Sequence, residues 1–288
     1  MMDFVERSWT TVGGLRLSGR DYAGDAGPAR LAVICLHGLT RNARDFEQVA
    51  PVFSARGRRV VALDVRGRGR SAWDPEPANY AVPVYVDDMI GWAGALGIDR
   101  AVFVGTSMGG LIAMALAAAR PGLVASVVLN DIGPEIAAEG LARISAYTGE
   151  TPSVASWREA AAYARHINAP AFPDYGEAQW EVFAHRLFRE DAGRITLDYD
   201  PAVATPMKAP PPQPAPDLWP LFDLLARDRP LLLVRGAISD LLAPATRDQM
   251  RFRAPHMRLT EVAGVGHAPT LSEPEAVAAL AAFLDEVD

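Results

Sequence analysis

Short apolar runs alternate with helix-like stretches along the first half of the chain. Continuous apolar runs typical of buried strands lie at 31–36, 59–65, 101–106 and 123–129. Helical patterns between them lie at 41–56, 83–96 and 108–120. Alternating positions on both sides of Gly13 and Gly14 predict an N-terminal hairpin. Strands that alternate with helices predict a mostly parallel sheet covered by helices on both faces.

The alternation stops after about residue 131 and resumes near residue 229. The intervening segment has helical patterns at 135–146, 153–166 and 175–189, followed by a proline tract at 206–220. Because proline lacks an N–H donor, we expect this tract to form an extended, polyproline-like arm. Strand-like runs then return at 229–236 and 257–262, and an Ala-rich helix is predicted at 274–286. The pattern therefore predicts a helical insertion in an α/β domain.

The composition and charge of the chain argue against several classes of protein. The chain has 288 residues, enough for one domain with an insertion. No apolar run approaches the ~18 residues of a membrane span, and the first residues do not resemble a secretory signal, so we expect a cytoplasmic protein. Cys35 is the single cysteine, which excludes an internal disulfide. A net charge of −7 without a basic run argues against a nucleic-acid partner. The sequence does not predict the oligomeric state.

The segment at 101–110, AVFVGTSMGG, carries the strongest chemical signal. A Gly-x-Ser-x-Gly pattern between a buried strand and a helix is typical of a nucleophile elbow. Gly105 and Gly109 allow neighbouring backbone to approach the strained serine closely, and the helix N-terminus favours negative charge beside it. The pattern predicts Ser107 as a nucleophile; the simpler interpretation is a Gly-rich turn with an incidental serine.

A serine nucleophile needs a general base that a carboxylate orients. His267 lies between the last predicted strand and the last helix, and it is our predicted base. For the carboxylate we favour Asp240, which follows the strand at 231–234. Asp131 is the alternative, because it directly ends the preceding strand and could also reach the histidine.

An acyl-transfer site also needs two N–H groups that stabilise an oxyanion. One is predicted to be the amide of Met108, directly after the nucleophile, and the other the amide of Leu39 in the loop after the run at 31–36. His37 is expected to brace that loop by hydrogen bonds. Arg41 and Asn42 are candidates to contact a polar group of a substrate, and helix capping or contact with solvent are the alternative roles.

Taken together, these motifs resemble the α/β-hydrolase superfamily, in its lidded serine esterase, lactonase and C–C hydrolase branch. The resemblance is carried by HG at 37–38, DVRGRGRS at 64–71, GTSMGG at 105–110, SD at 239–240 and GH at 266–267. It implies an eight-stranded, mostly parallel sheet in a core domain at 1–133 and 220–288, with a helical cap at 134–219. It also implies hydrolysis of an ester or related acyl compound through an acyl-enzyme, without a cofactor or a metal ion.

Cap aromatics are expected to form part of the pocket for a small-molecule substrate. We select Trp157, Tyr175 and Trp180 as substrate-binding residues, together with Arg41. Most aromatic residues of a small helical cap are nevertheless needed for its own packing.

Several other functions use the same scaffold. A serine at position 107 disfavours epoxide hydrolases and haloalkane dehalogenases, which need an aspartate there, and Thr106 weakens the resemblance to C–C hydrolases. Lactonases, thioesterases and cofactor-free perhydrolases share every residue named above. A non-catalytic ligand receptor on the hydrolase fold is the alternative from a different class.

Overall fold

An eight-stranded sheet forms the centre of the protein in the computed structural model, which describes residues 4–24, 30–208 and 216–287. Its strand order is β1-β2-β4-β3-β5-β6-β9-β10. The strands of this sheet and of a small hairpin are β1 (Val5–Thr10), β2 (Arg16–Tyr22), β3 (Ala32–Leu36), β4 (Val60–Asp64), β5 (Ala101–Thr106), β6 (Val124–Asn130), β7 (Phe188–Asp191), β8 (Arg194–Leu197), β9 (Leu231–Gly236) and β10 (Arg258–Val262). Strand β2 pairs antiparallel with β1 and β4, and the other pairs of the large sheet are parallel. The predicted sheet and N-terminal hairpin are confirmed.

Helices cover the sheet because its central strands are apolar on both faces. Every residue of β4, β6 and β9 is buried. The helices are α1 (Ala50–Ser54), α2 (Val82–Leu96), α3 (Met108–Ala119), α4 (Ala138–Tyr147), α5 (Trp157–Asn168), α6 (Glu177–Leu187), α7 (Thr205–Lys208), α8 (Trp219–Ala226), α9 (Pro244–Arg253) and α10 (Pro274–Glu286). Helix α3 packs against α2 and α8, whereas α10 packs against α1 and β10. None of the described helices is long and apolar enough to cross a bilayer.

The helix predicted at 41–56 is instead two short pieces. A 3₁₀ turn occupies Ala43–Phe46, and its first turn is capped by the Asn42 side chain, which accepts a hydrogen bond from the Arg44 N–H. Helix α1 then begins four residues later, with Pro51 in its first turn. The local capping groups therefore divide a segment whose apolar pattern looks continuous.

The segment between β6 and α8 supplies helices α4 to α7 and the β7–β8 hairpin. The helix predicted at 175–189 ends at Leu187. The hairpin that follows was not expected, because each of its strands has only four residues and a weak alternation of apolar and polar positions. The middle of the proline tract, 209–215, lies outside the described residues. Its first residues belong to helix α7 rather than to an extended arm. The predicted division into a core domain and a cap domain rests on this insertion.

Candidate active site

The elbow serine lies in a sharp turn between two regular elements. Strand β5 ends one residue before Ser107 and α3 begins one residue after it, and Ser107 itself has φ 50°. This left-handed backbone region is rarely occupied by residues other than glycine. A Cβ atom at Gly105 would lie 2.5 Å from the backbone of Gly109, and one at Gly109 would lie 2.1 Å from the carbonyl oxygen of Leu36. Both glycines are therefore required for this turn to pack on the sheet.

The imidazole of His267 connects the serine to a carboxylate. The Ser107 hydroxyl lies 2.9 Å from His267 Nε2, and His267 Nδ1 lies 2.8 Å from Oδ2 of Asp131. The Asp131 side chain is 0% exposed and that of His267 is 8% exposed. With the Nδ1 proton donated to Asp131, Nε2 is left as the acceptor for the serine proton. The three side chains therefore form one hydrogen-bonded series that ends at the serine.

The prediction that Asp240 orients His267 is wrong. The Asp240 carboxylate instead binds Arg143 of helix α4, at 2.5 Å from Nε and 2.9 Å from Nη2. Burial acts to raise the pKa of Asp240, but the hydrogen bonds and charge of Arg143 hold it below its usual value. Asp131 is better placed to contact His267, because it immediately follows β6, and β6 lies directly beside β5 in the sheet. Asp240 lies four residues beyond β9, which is one strand farther away.

Three donors hold the Asp131 carboxylate in place. Its Oδ1 accepts a hydrogen bond from the Gly236 N–H at 2.8 Å, and its Oδ2 accepts one from the Ser239 hydroxyl at 2.5 Å in addition to His267. A fully buried carboxylate needs such donors to remain charged. Sequence reasoning noted Ser239 as part of a motif but did not recognise that it positions the carboxylate.

The loop that carries the imidazole is attached to both the sheet and the cap. Asn130 Nδ2 donates to Thr106 Oγ1 at 3.0 Å and to the Pro269 carbonyl at 2.8 Å, which ties the loop to β5 and β6. The Gly266 N–H donates to the carbonyl of Ala171 in the cap at 2.7 Å. These bonds explain how one histidine on a loop keeps a fixed position over the serine.

Two backbone N–H groups remain available beside the serine. Among the described residues, no hydrogen-bond acceptor is found for the N–H of Leu39 or of Met108. Met108 is the first residue of α3, so its N–H belongs to the positively polarised end of that helix. These are the two amides that we predicted to stabilise an oxyanion, and this role stays a prediction.

His37 braces the loop after β3, as expected from the sequence. Its Nε2 accepts a hydrogen bond from the Val65 N–H at 3.0 Å, and its Nδ1 donates to the Gly38 carbonyl at 2.7 Å. Burial lowers the pKa of His37 to about 4, despite the opposing influence of the Gly38 hydrogen bond. The imidazole is therefore neutral at neutral pH and takes no part in proton transfer.

A cavity of about 90 Å³ opens beside Ser107 and His267. Its wall on the core side includes Gly38, Leu39, Arg41 and Asp45, and on the cap side Ile144, Tyr147, Phe172, Phe183 and Arg186. Arg41 is thus on the wall as predicted. Of the cavity residues, Tyr147, Asp45 and Arg186 were not anticipated, since helical patterns alone do not show which side chains point into the cavity. No group of three or more His, Cys, Asp or Glu side chains within the described ranges is placed to hold a metal ion.

The other three predicted substrate-binding residues do not lie on the cavity wall. Trp157 stacks on His185 with 3.8 Å between ring centroids, in a surface groove elsewhere on the cap. Tyr175 stacks on the outer side of the cavity residue Phe172, and Trp180 is buried against both. The short cap helices need these rings for their own packing, so only part of the aromatic cluster reaches the cavity.

Comparison with known proteins supports the assignment of a family. Residues 33–280 match the model of the alpha/beta hydrolase family. The chain belongs to this family. A crystal structure of an alpha/beta hydrolase from Novosphingobium aromaticivorans is 43% identical, with a TM-score of 0.93 and 100% coverage of both chains. The resemblance inferred from the motifs is therefore confirmed, as is the fold class.

Two curated relatives of this alpha/beta hydrolase have named activities. The 3-hydroxybutyrate-oligomer hydrolase of Cupriavidus necator is 37% identical over 271 residues, which cover 91% of this chain and 90% of the relative. The 2-(acetamidomethylene)succinate hydrolase of Mesorhizobium japonicum is 29% identical over 286 residues, covering 98% of this chain and 96% of the relative. Both relatives are thus similar to the whole hydrolase rather than to one motif.

The buried His37 should make stability depend on pH. Its pKa of about 4 in the folded protein is below the ordinary 6.5, so only the unfolded chain takes up this proton as pH falls between those values. The contribution of His37 to the free energy of unfolding is therefore complete above pH 6.5 and is lost as the pH falls towards 4. At 1.36 kcal/mol per pKa unit, the whole loss is up to about 3 kcal/mol. Urea unfolding of wild type and His37→Gln should therefore show a stability difference that shrinks from pH 7.5 to about pH 5.

The exposed His256 provides the matched control. His256→Gln should give a stability difference from wild type that barely changes over the same pH range, since this ring is exposed and lies 3.1 Å from the Arg229 carbonyl oxygen at the surface. A pH-independent difference for His37→Gln would contradict the role of His37 as a buried neutral brace.

Proposed function

We propose that this alpha/beta hydrolase is a serine esterase that cleaves a carboxylic ester through an acyl-enzyme. The observation that carries the proposal is the hydrogen-bonded series from Asp131 through His267 to Ser107, which ends at a cavity. The names of the relatives add support, because one is named a 3-hydroxybutyrate-oligomer hydrolase and another an esterase. A chemical mechanism follows from the positions of these side chains.

In the first half-reaction Ser107 Oγ attacks the ester carbonyl while His267 Nε2 accepts the serine proton. The Asp131 carboxylate holds the Nδ1 proton and stabilises the imidazolium that forms. The tetrahedral oxyanion accepts hydrogen bonds from the N–H groups of Leu39 and Met108. In comparable sites each such donor stabilises the transition state by about 3 kcal/mol. Collapse of the intermediate expels the alcohol, which takes its proton from His267.

Water then hydrolyses the acyl-enzyme by the same steps. His267 removes a proton from the water as it attacks the Ser107 acyl group, and the second oxyanion binds the same two amides. Breakdown returns the proton to Ser107 Oγ and releases the carboxylic acid. Each half-reaction thus uses His267 once as a base and once as an acid.

Removal of the nucleophile provides the first test. Ser107→Ala should lower kcat on p-nitrophenyl acetate by roughly 10⁴-fold or more, because the remaining oxyanion contacts cannot replace covalent catalysis. The wild-type protein should also be labelled by a fluorophosphonate probe and the variant should not. Wild-type protein without labelling would instead indicate a non-catalytic ligand receptor.

The two candidate carboxylates can be separated by a matched pair of variants. Asp131→Asn should lower kcat by roughly 10³- to 10⁴-fold, since the amide no longer holds the required imidazole tautomer. Asp240→Asn should stay within about threefold of wild type, because Asp240 binds Arg143 and does not contact His267. Steady-state kinetics on p-nitrophenyl acetate measure both, and the opposite order of effects would restore Asp240 as the orienting acid.

A short acyl group is the substrate that the cavity fits best. Its volume of about 90 Å³ accommodates several water molecules, which is room for a small acyl chain but not for a long one. The value of kcat/KM should therefore fall at least about tenfold from p-nitrophenyl butyrate to p-nitrophenyl decanoate. The physical reason is that each one or two methylenes that do not fit the cavity raise the activation free energy by about 1 kcal/mol. Equal rates on both esters would contradict this size limit.

The relative from Cupriavidus necator favours a second, narrower candidate. Its name assigns it to 3-hydroxybutyrate oligomers, and its similarity extends over 91% of this chain. Esters between short hydroxy acids are therefore candidate substrates here. Lactones and thioesters expose the same carbonyl to the serine, and parallel rates on matched lactone, thioester and ester substrates distinguish these classes.

A further inference from the structure

The cavity beside the serine contains a largely buried arginine from the inserted segment. Arg186 lies at the end of α6, lines the cavity, and is only 7% exposed. Within the described ranges, its guanidinium forms no ion pair and no side-chain hydrogen bond. Its backbone carbonyl accepts hydrogen bonds from the side chains of Asn42 at 2.8 Å and Arg44 at 3.1 Å, which fixes this end of α6 on the core.

A second arginine lines the same cavity, and only some of its N–H groups have hydrogen-bond partners among the described residues. Arg41 donates through Nε and Nη2 to the Asp45 carboxylate, at 2.9 and 2.6 Å, and its guanidinium lies 4.2 Å from the centre of the Phe183 ring. Its remaining nitrogen, Nη1, is buried and has no hydrogen-bond partner among the described residues. A buried charged N–H group without an acceptor is costly, so it indicates a site for an acceptor that binds.

The charges on the cavity wall do not cancel. Arg41 and Arg186 provide two positive charges, and Asp45 is the one carboxylate among the described residues that line the cavity. Burial acts to raise the pKa of Asp45, but the charge and hydrogen bonds of Arg41, with a further effect of the Arg186 charge, hold it below its usual value. The hydrogen bonds of this carboxylate to these two arginines go to Arg41. One positive charge therefore remains without a carboxylate among the described residues that line the cavity.

The arginine pair, Arg41 and Arg186, lines the same cavity as Ser107. A Cβ atom built on Gly38 would be 3.4 Å from Cγ of Arg41 and 3.8 Å from Cβ of Ser107, so these carbons of the two side chains lie close to the same glycine. A group bound by the arginine pair would thus lie in the cavity that Ser107 also lines.

We propose that Arg41 Nη1 and Arg186 form a binding site for a carboxylate, and that the preferred substrate is an ester that itself carries a free carboxylate. This inference rests on the proposed esterase function and adds the charge of the substrate. The carboxylate supplies the acceptor that Arg41 Nη1 lacks and the negative charge that the cavity wall lacks. Such charge-assisted hydrogen bonds are short and directional, so they also hold the ester in one orientation.

Two pairs of esters test this site. In the first pair, 3-acetoxybutanoate carries its carboxylate on the alcohol side and its methyl ester is neutral. In the second pair, monoethyl succinate carries its carboxylate on the acyl side and ethyl pentanoate is neutral. Wild-type kcat/KM should favour the anionic member of at least one pair by about tenfold or more, which is the expected effect of one or two charge-assisted hydrogen bonds.

Variants then assign the preference to the arginine pair. Arg186→Gln should reduce the anionic-to-neutral ratio to near one, mainly through KM of the anionic ester, while Arg186→Lys should keep part of the preference. Arg189→Gln is the matched control, because Arg189 lies three residues further along, is 38% exposed, and is absent from the cavity wall. Its ratio should equal that of wild type, and thermal melting should confirm that each variant is folded.

The outcomes separate the two proposals. Cleavage of the neutral esters without any preference in either pair, or a preference that survives in Arg186→Gln, overturns the carboxylate site and leaves the esterase proposal standing. Failure of wild type to cleave any of the four esters overturns the esterase proposal itself.

Discussion

The buried carboxylate of Asp131 joins the three strand ends on which the site is built. It follows β6, accepts hydrogen bonds from Gly236 at the end of β9 and from Ser239 beyond that strand, and accepts another from His267 beyond β10. A buried charge of this kind is stable only with its full set of donors. The same contacts that satisfy the carboxylate therefore fix the loop after β9 and the imidazole relative to the serine.

The sequence was sufficient for those parts of the site that depend on local backbone geometry. The strained turn at Ser107 requires glycines at fixed offsets, and both are visible in the sequence. His267 was recognisable because it lies on a short loop between the last strand and the last helix. The choice between Asp131 and Asp240 depends on which strand neighbours β5, and strand order is a long-range property that neither residue's neighbours in the sequence reveal.

The cap was the least predictable part of the protein, because the set of its side chains that reach the cavity is also a long-range property. Its aromatic residues were evident, but Trp157 and Trp180 pack within the cap or at its surface while Phe172 and Phe183 reach the cavity. Arg186 was not noticed, because a charged residue in a helical pattern normally faces solvent. Its burial becomes apparent only when α6 is seen to end on the core. The cap thus contributes Arg186 and part of the apolar wall of the cavity, whereas Arg41, Asp45 and the proposed reacting groups belong to the core.

Asp131, and not Asp240, contacts Nδ1 of His267 in the structure, and we propose that it holds the Nδ1 proton. Proton NMR distinguishes the two carboxylates, because a histidine proton shared with a buried carboxylate gives a resonance far downfield of the amide region. The resonance should be present in wild type and in Asp240→Asn, and absent in Asp131→Asn. Its persistence in Asp131→Asn together with its loss in Asp240→Asn would contradict the account.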